Sequence, residues 1–197
     1  MLLLPLGGYA KDEIRQMAQE QGLVVAQKPD SQDICFVPDG DHGAFLQRYT
    51  GKALTPGNFV DKEGRVLGPH KGLQCYTLGQ RKGLGISLGR TMYVSQIHPQ
   101  GNITLVEEEG ELFDPQVLVG TVNWVSIPQP AAPIEAQVKL RYAHKAAPAV
   151  ITPLEGNRAA VLFDQPQRAA TPGQAAVFYQ GDRVLGGGII EPKALLP

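Results

Sequence analysis

The sequence predicts a mainly β fold with a small α/β remnant at its start, then a small central β-rich domain and a C-terminal β-barrel. Three observations point there. The 197 residues include 23 glycines and 16 prolines against 43% hydrophobic residues, a composition of short strands and turns rather than of a helical bundle. From about residue 111 onward, apolar runs of strand length recur between Pro, Gly and Asn, as in sandwiches and closed barrels. Helical periodicity is confined to two short segments near the start.

The first helix is expected in KDEIRQMAQEQ. Ile14, Met17, Ala18 and Gln21 recur at helical spacing, Asp12 and Glu13 occupy the first turn, and Gly22 follows the end. LVVA at 23–26 then reads as a short buried strand. A single strand-helix-strand unit cannot cover both faces of its own sheet, so the α/β portion, residues 1–40, is expected to belong to a larger domain.

The central stretch, 41–110, opens with a helix capped by Asp41 and closed by Gly51. A turn at Asp61–Gly64 joins two strands, LQCYTLGQ is read as another, and a turn at Pro99–Asn102 joins two more. In residues 111–197, TPGQ at 171–174 suits a type II turn with Gly173 at the position that needs positive φ. QGD at 180–182 turns the chain back, and Gly186–Gly188 permits a bulge or a barrel corner.

Charge and cysteine count exclude several classes. The formal net charge is −1, so any nucleic-acid partner must be held by local patches. Two cysteines, Cys35 and Cys75, make neither a disulfide framework nor a closely spaced zinc pattern, which favours a reducing, cytoplasmic setting. The opening MLLLPLGGYA lacks a positive n-region and is interrupted by Pro5, so it reads as neither a signal peptide nor a membrane span.

Three stretches bear on chemistry. Cys35 lies in PDSQDICFVPDGDH, where it is either a small hydrophobe in the run Ile34–Val37 or a reachable, reactive thiol. Asp30, Asp33, Asp39, Asp41 and His42 lack the spacing of a calcium loop, and Asp39 and Asp41 serve as turn and cap residues, so no metal site is expected. No signature ties any histidine to a nucleophile. GQRKGLGISLGR carries Arg81, Lys82 and Arg90 among four glycines. It fits either plain turn geometry or a phosphate contact, though it is not a nucleotide-binding loop by spacing. VKLRYAHK is the locally basic strand, with Val138 and Leu140 inward and Lys139 and Arg141 outward. Tyr142 lies on the inward parity and faces a ligand only if the strand bends or ends there.

The strings PLGGYAKDEIR, KPDSQDICFV, YTLGQRKGLGI, VKLRYAHK and TPGQAAVFYQGDRVLGGGII, in this order, resemble the MnmA-type tRNA-specific 2-thiouridylases. The similarity runs over nearly the whole chain but covers only the back portion of that family. The family's SGGVDS-type pyrophosphate loop and first catalytic cysteine have no counterpart here. The resemblance implies a nucleotide-binding α/β domain, a central domain and a C-terminal β-barrel that binds tRNA. It also implies a reaction in which ATP adenylates the C2 oxygen of a wobble uridine and a persulfide sulfur displaces AMP.

By motif, Cys35 corresponds to the persulfide carrier, while Arg141, Tyr142 and Gln174 correspond to tRNA contacts. Cys75 stays a structural thiol. The implied partners are tRNA and a sulfur-relay carrier protein or cysteine desulfurase, with no membrane. No cofactor is expected in these 197 residues, and ATP with Mg2+ only in the full-length enzyme, so the chain alone is expected to bind RNA weakly and to thiolate nothing. Two alternatives remain: a non-catalytic RNA-binding β module, and a persulfide sulfurtransferase with a non-RNA acceptor.

Overall fold

A computed structural model describes residues 5–28, 37, 40–142 and 144–192. Cys35 lies outside the described residues, as do Asp30, Asp33 and Asp39 of the acidic cluster. The fold is mainly β, as the composition predicts, and the chain forms two compact units, Met1–Gly51 and Lys52–Pro197.

The first unit holds helices α1 (Lys11–Glu20) and α2 (His42–Thr50). Glu13 reaches back to accept the amide of Ala10 at 2.6 Å, half of a capping box; Ala10 has no side-chain oxygen to supply the other half. Asp41 Oδ1 accepts the Ala44 amide at 2.8 Å, and Gly51 closes α2 in the left-handed region at φ 66°. The expected strand at 23–26 is instead a run of turns, with Val24 99% exposed. Its β-branched residues favour extended structure only where a neighbouring strand supplies a ladder, and none pairs with them among the described residues.

The second unit begins with a four-stranded mixed sheet in the order β2-β1-β4-β3. Its strands are β1 (Gly57–Val60), β2 (Val66–His70), β3 (Tyr93–Ile97) and β4 (Asn102–Val106), with β1 parallel to β4. Both expected turns are present: Asp61 and Arg65 close the first, and the His98 amide bonds the Asn102 carbonyl in the second. Phe59, Val94, Ile103 and Leu105 form the core, and Phe59 packs edge-on against His70 and Tyr76 at 5.3 and 5.1 Å.

LQCYTLGQ is not a strand. Leu73–Cys75 is a single 3-10 turn, and Cys75 packs half-buried against the sheet's core. The Gly72 amide donates to Nδ1 of buried His70 at 3.1 Å, which bends the chain away from the sheet at this point.

Six antiparallel strands then close a barrel in the order β10-β5-β8-β7-β6-β9. These are β5 (Phe113–Trp124), β6 (Ile134–Lys139), β7 (Ala147–Leu154), β8 (Arg158–Arg168), β9 (Ala175–Gln180) and β10 (Arg183–Ile190). Small and branched residues fill the interior: Val119, Ile151, Ala159, Val161 and Ala176, with Phe178 fully buried beside Trp124. Burying Phe178 contributes about 1.5–3 kcal/mol of transfer free energy. The register slips on both sides of the Gly186–Gly188 run. Added Cβ atoms there would lie 2.4–2.5 Å from carbonyls of neighbouring strands, so the corner requires glycine.

Candidate nucleic-acid interface

β6 leaves the barrel where the basic motif becomes chemically interesting. Val138 and Leu140 point into the core at 1% and 2% exposure, matching the expected parity. The ladder ends at Lys139, and beyond it the His144 amide bonds the Arg141 carbonyl at 3.1 Å, so the chain turns there. Because the strand ends there, Tyr142 escapes its inward parity and stands 97% exposed. The Lys139 ammonium lies 5.5 Å from the centre of the Tyr142 ring, close enough for a cation-π attraction of about 0.5–1 kcal/mol at an exposed site.

Arg141 has a different environment. It is half-buried, and its Nη2 donates to the Ala169 carbonyl and to Thr171 Oγ1, the latter at 2.7 Å. The Thr171 hydroxyl sends its own proton to the Ala169 carbonyl at 3.0 Å. Arg141 Nε is buried and has no partner among the described residues. Burial, and then the nearby Arg168 charge, bring the Arg141 pKa below its ordinary value. Ala169 is itself unusual, a buried non-glycine residue at φ 48°. Its left-handed backbone is held by the amide bond to the Leu112 carbonyl and by the two side chains on its carbonyl oxygen.

The third motif residue comes from the neighbouring strand. TPGQ forms the expected turn, with Gly173 at φ 87° and the Gln174 amide bonded to the Thr171 carbonyl at 3.2 Å. The Gln174 backbone is fixed by the Ile190 amide, while its side chain is exposed. In the β6–β9 ladder Lys139 pairs with Val177, so Tyr142 and Gln174 are each three residues beyond the last pair at the same end. Arg141, Tyr142 and Gln174 thus share one barrel rim, joined by the bond from Arg141 to Thr171.

Arg168, which sequence reasoning missed, connects this rim to the mixed sheet. Its Nε donates to Glu109 Oε1 at 2.7 Å and its Nη2 to the Gly79 carbonyl at 3.2 Å. Gly79 sits at φ 79°, the left-handed region that favours glycine, and a Cβ there would also lie 2.9 Å from Arg168 Nη1 and 3.0 Å from the Ala169 Cβ. Lys62, in the turn after β1, pairs with Glu111, just before β5, a second ionic link between the sheet and the start of the barrel. Burial, with the charges of Arg141 and Arg168 behind it, lowers the pKa of His144 below its ordinary 6.5, keeping it neutral at neutral pH. Among the described residues no group of three or more His, Cys, Asp or Glu is placed to hold a metal ion.

This rim combines an exposed aromatic ring, an exposed amide side chain and nearby cations, groups chemically suited to stacking on an unpaired base and to phosphate and sugar contacts. The chain resembles known proteins over nearly its whole length. Family profiles match residues 1–39 (tRNA methyl transferase HUP domain), 43–108 (tRNA methyl transferase PRC-barrel domain) and 115–190 (aminomethyltransferase beta-barrel domain). A "tRNA-specific 2-thiouridylase MnmA" of Acetivibrio thermocellus is 48% identical over 190 residues, 96% of this chain and 53% of the relative. The chain belongs to the MnmA family.

MnmA relatives from Carboxydothermus hydrogenoformans and Clostridium botulinum are 48% and 47% identical over 98% and 96% of this chain, and 53% and 52% of their own lengths. The chain therefore spans about half the length of the curated MnmA relatives it matches. No helix among the described residues is long and apolar enough to cross a membrane.

Proposed function

We propose that this chain works as part of a tRNA-uridine 2-sulfurtransferase, in which Cys35 carries a persulfide and the rim of Arg141, Tyr142 and Gln174 holds the tRNA. The observation that carries this reading is the relatives' shared name at about half identity over nearly the whole chain. The convergence of the three motif residues at one end of the barrel supports it.

The sulfur step balances as two displacements. The terminal sulfur of the Cys35 persulfide attacks C2 of an adenylated wobble uridine, forming a C–S bond as AMP leaves with the oxygen. A second thiolate, supplied by the rest of the enzyme, then attacks Cys35 Sγ, which breaks the S–S bond, leaves 2-thiouridine and forms a disulfide for an external reductant to open. Adenylation, with its ATP and Mg2+, is assigned to the rest of the enzyme, and a sulfur carrier or cysteine desulfurase loads Cys35 in the cytoplasm.

Tyr142 supplies a stacking face and Gln174 reaches a sugar or base edge. Arg141 supplies a half-buried positive charge near phosphate, while its Nη2 fixes the turn that presents Gln174. Fluorescence anisotropy with labelled tRNA tests the binding half of the proposal. The chain should bind tRNA weakly, Tyr142→Ala should weaken that binding further, and the chain alone should form no 2-thiouridine. Unchanged binding by Tyr142→Ala, or ATP-dependent thiolation by the purified chain, contradicts it.

A further inference from the structure

The glycine-rich basic segment between the 3-10 turn and β3 takes no part in the rim except through Gly79. It nevertheless lines a pocket of about 330 Å3 built from its own residues, among them Arg81, Gly83, Gly85, Arg90 and Thr91. The segment is held in place by its apolar side chains. Leu84 and Met92 are buried in the sheet's core, and Ile86 and Leu88 pack against it. Two carbonyls are also tied down, that of Leu84 by the Tyr76 hydroxyl and that of Lys82 by the Gln80 side-chain amide.

Its amides are left over. None of the main-chain N–H groups from Arg81 to Met92 donates to a protein acceptor among the described residues. Gly83, Gly85 and Gly89 all have left-handed backbones, at φ 73°, 80° and 67°, the kind of geometry that gathers successive N–H groups into an anion-binding concavity. Arg81 and Lys82 are exposed and make no ion pair among the described residues, whereas Arg90 is neutralised by Glu107 at 2.5 Å. A pocket with unpaired Arg81 on its lining, exposed Lys82 next to it in sequence, unbonded main-chain N–H groups in the same loop and a fixed wall is suited to a phosphate oxyanion. Arg168 holds Gly79, two residues before Arg81, so the loop is anchored to the barrel just ahead of the pocket.

We infer that the loop from Arg81 to Thr91 binds a phosphate oxyanion, and that in the RNA complex this group is a backbone phosphodiester of the tRNA. The phosphodiester assignment rests on the proposed function; the oxyanion chemistry does not.

The test uses the full chain, 15N-labelled, titrated separately with inorganic phosphate and with tRNA, beside the R81Q/K82Q variant. Both ligands should shift the amides of Gly83, Gly85 and Gly89. In the variant the phosphate shifts should disappear, and the slope of log K for tRNA against log salt should fall by about 0.7–0.9, the contribution of one phosphate contact. Loop amides unmoved by both ligands, or an unchanged salt slope in a folded variant, overturn the inference. Shifts with inorganic phosphate but none with bound tRNA also overturn it, in favour of a site for free phosphate. A tRNA affinity that falls in R81Q/K82Q but not in Tyr142→Ala leaves the loop inference standing and removes the barrel rim from the proposed function.

Discussion

Arg141 Nη2 donates to the Thr171 hydroxyl at 2.7 Å across thirty residues of sequence, tying the turn after β6 to the turn before β9. The same nitrogen bonds the carbonyl of Ala169, whose backbone is left-handed. A residue assigned to RNA by motif is therefore also the brace for its own site.

Removing that brace affects both stability and binding. Arg141→Ala should lower stability by about 1.5–3 kcal/mol, the range for hydrogen bonds to a charged donor. Thr171→Val should lower it by about 1 kcal/mol, and a double-mutant cycle should return a coupling of about 1 kcal/mol for groups in direct contact. Because Thr171 positions Arg141, Thr171→Val should also weaken tRNA binding. Denaturant unfolding and anisotropy on the same four proteins check both effects.

Tyr142 and Gln174 should behave oppositely. Both side chains are exposed, so Gln174→Ala should change stability by no more than about 0.5 kcal/mol and Tyr142→Ala, which also loses the Lys139 contact, by no more than about 1 kcal/mol. Loss of the ring should nevertheless reduce tRNA affinity by roughly 5- to 150-fold, corresponding to a stacking contribution of about 1–3 kcal/mol. Equal affinities for wild type and Tyr142→Ala would remove the ring from the interface.

His144 sets a direction for pH dependence. Its folded pKa lies below the ordinary 6.5, so below that pH the unfolded chain binds more protons than the folded one. The stability tied to neutral His144 is present above pH 6.5 and is lost as pH falls from there through the folded pKa. His144→Gln should flatten the stability profile in that window, measured by denaturant unfolding at successive pH values.

Two glycines with similar backbones should differ in their response to alanine. At Gly173 a Cβ meets nothing within 4 Å, so Gly173→Ala should cost only the left-handed penalty of about 1–2 kcal/mol. At Gly79 the Cβ also crowds Arg168 Nη1 at 2.9 Å, so Gly79→Ala should cost more and should loosen the link between loop and rim. Thermal unfolding of the two variants gives the comparison.

The barrel was readable in the sequence because its strands are short apolar runs separated by Pro, Gly and Asn, and the Gly186–Gly188 corner announced itself. LVVA and LQCYTLGQ misled because strand-like composition forms a strand only where a partner edge is available. At the site, parity alone pointed Tyr142 inward, and only the end of β6 at Lys139 turned it to solvent. Arg168 gave no local signal, because its partners Glu109 and Gly79 are 59 and 89 residues away and are brought near only by the closed fold.

The most direct test of the account joins this chain to the remaining half of an MnmA enzyme and quantifies 2-thiouridine in tRNA for Cys35→Ser beside Cys75→Ser. Cys75 packs half-buried against the mixed sheet, so its variant should thiolate normally, whereas Cys35→Ser should abolish the product. Normal 2-thiouridine with Cys35→Ser would contradict the account and leave the chain as a module that holds RNA without carrying sulfur.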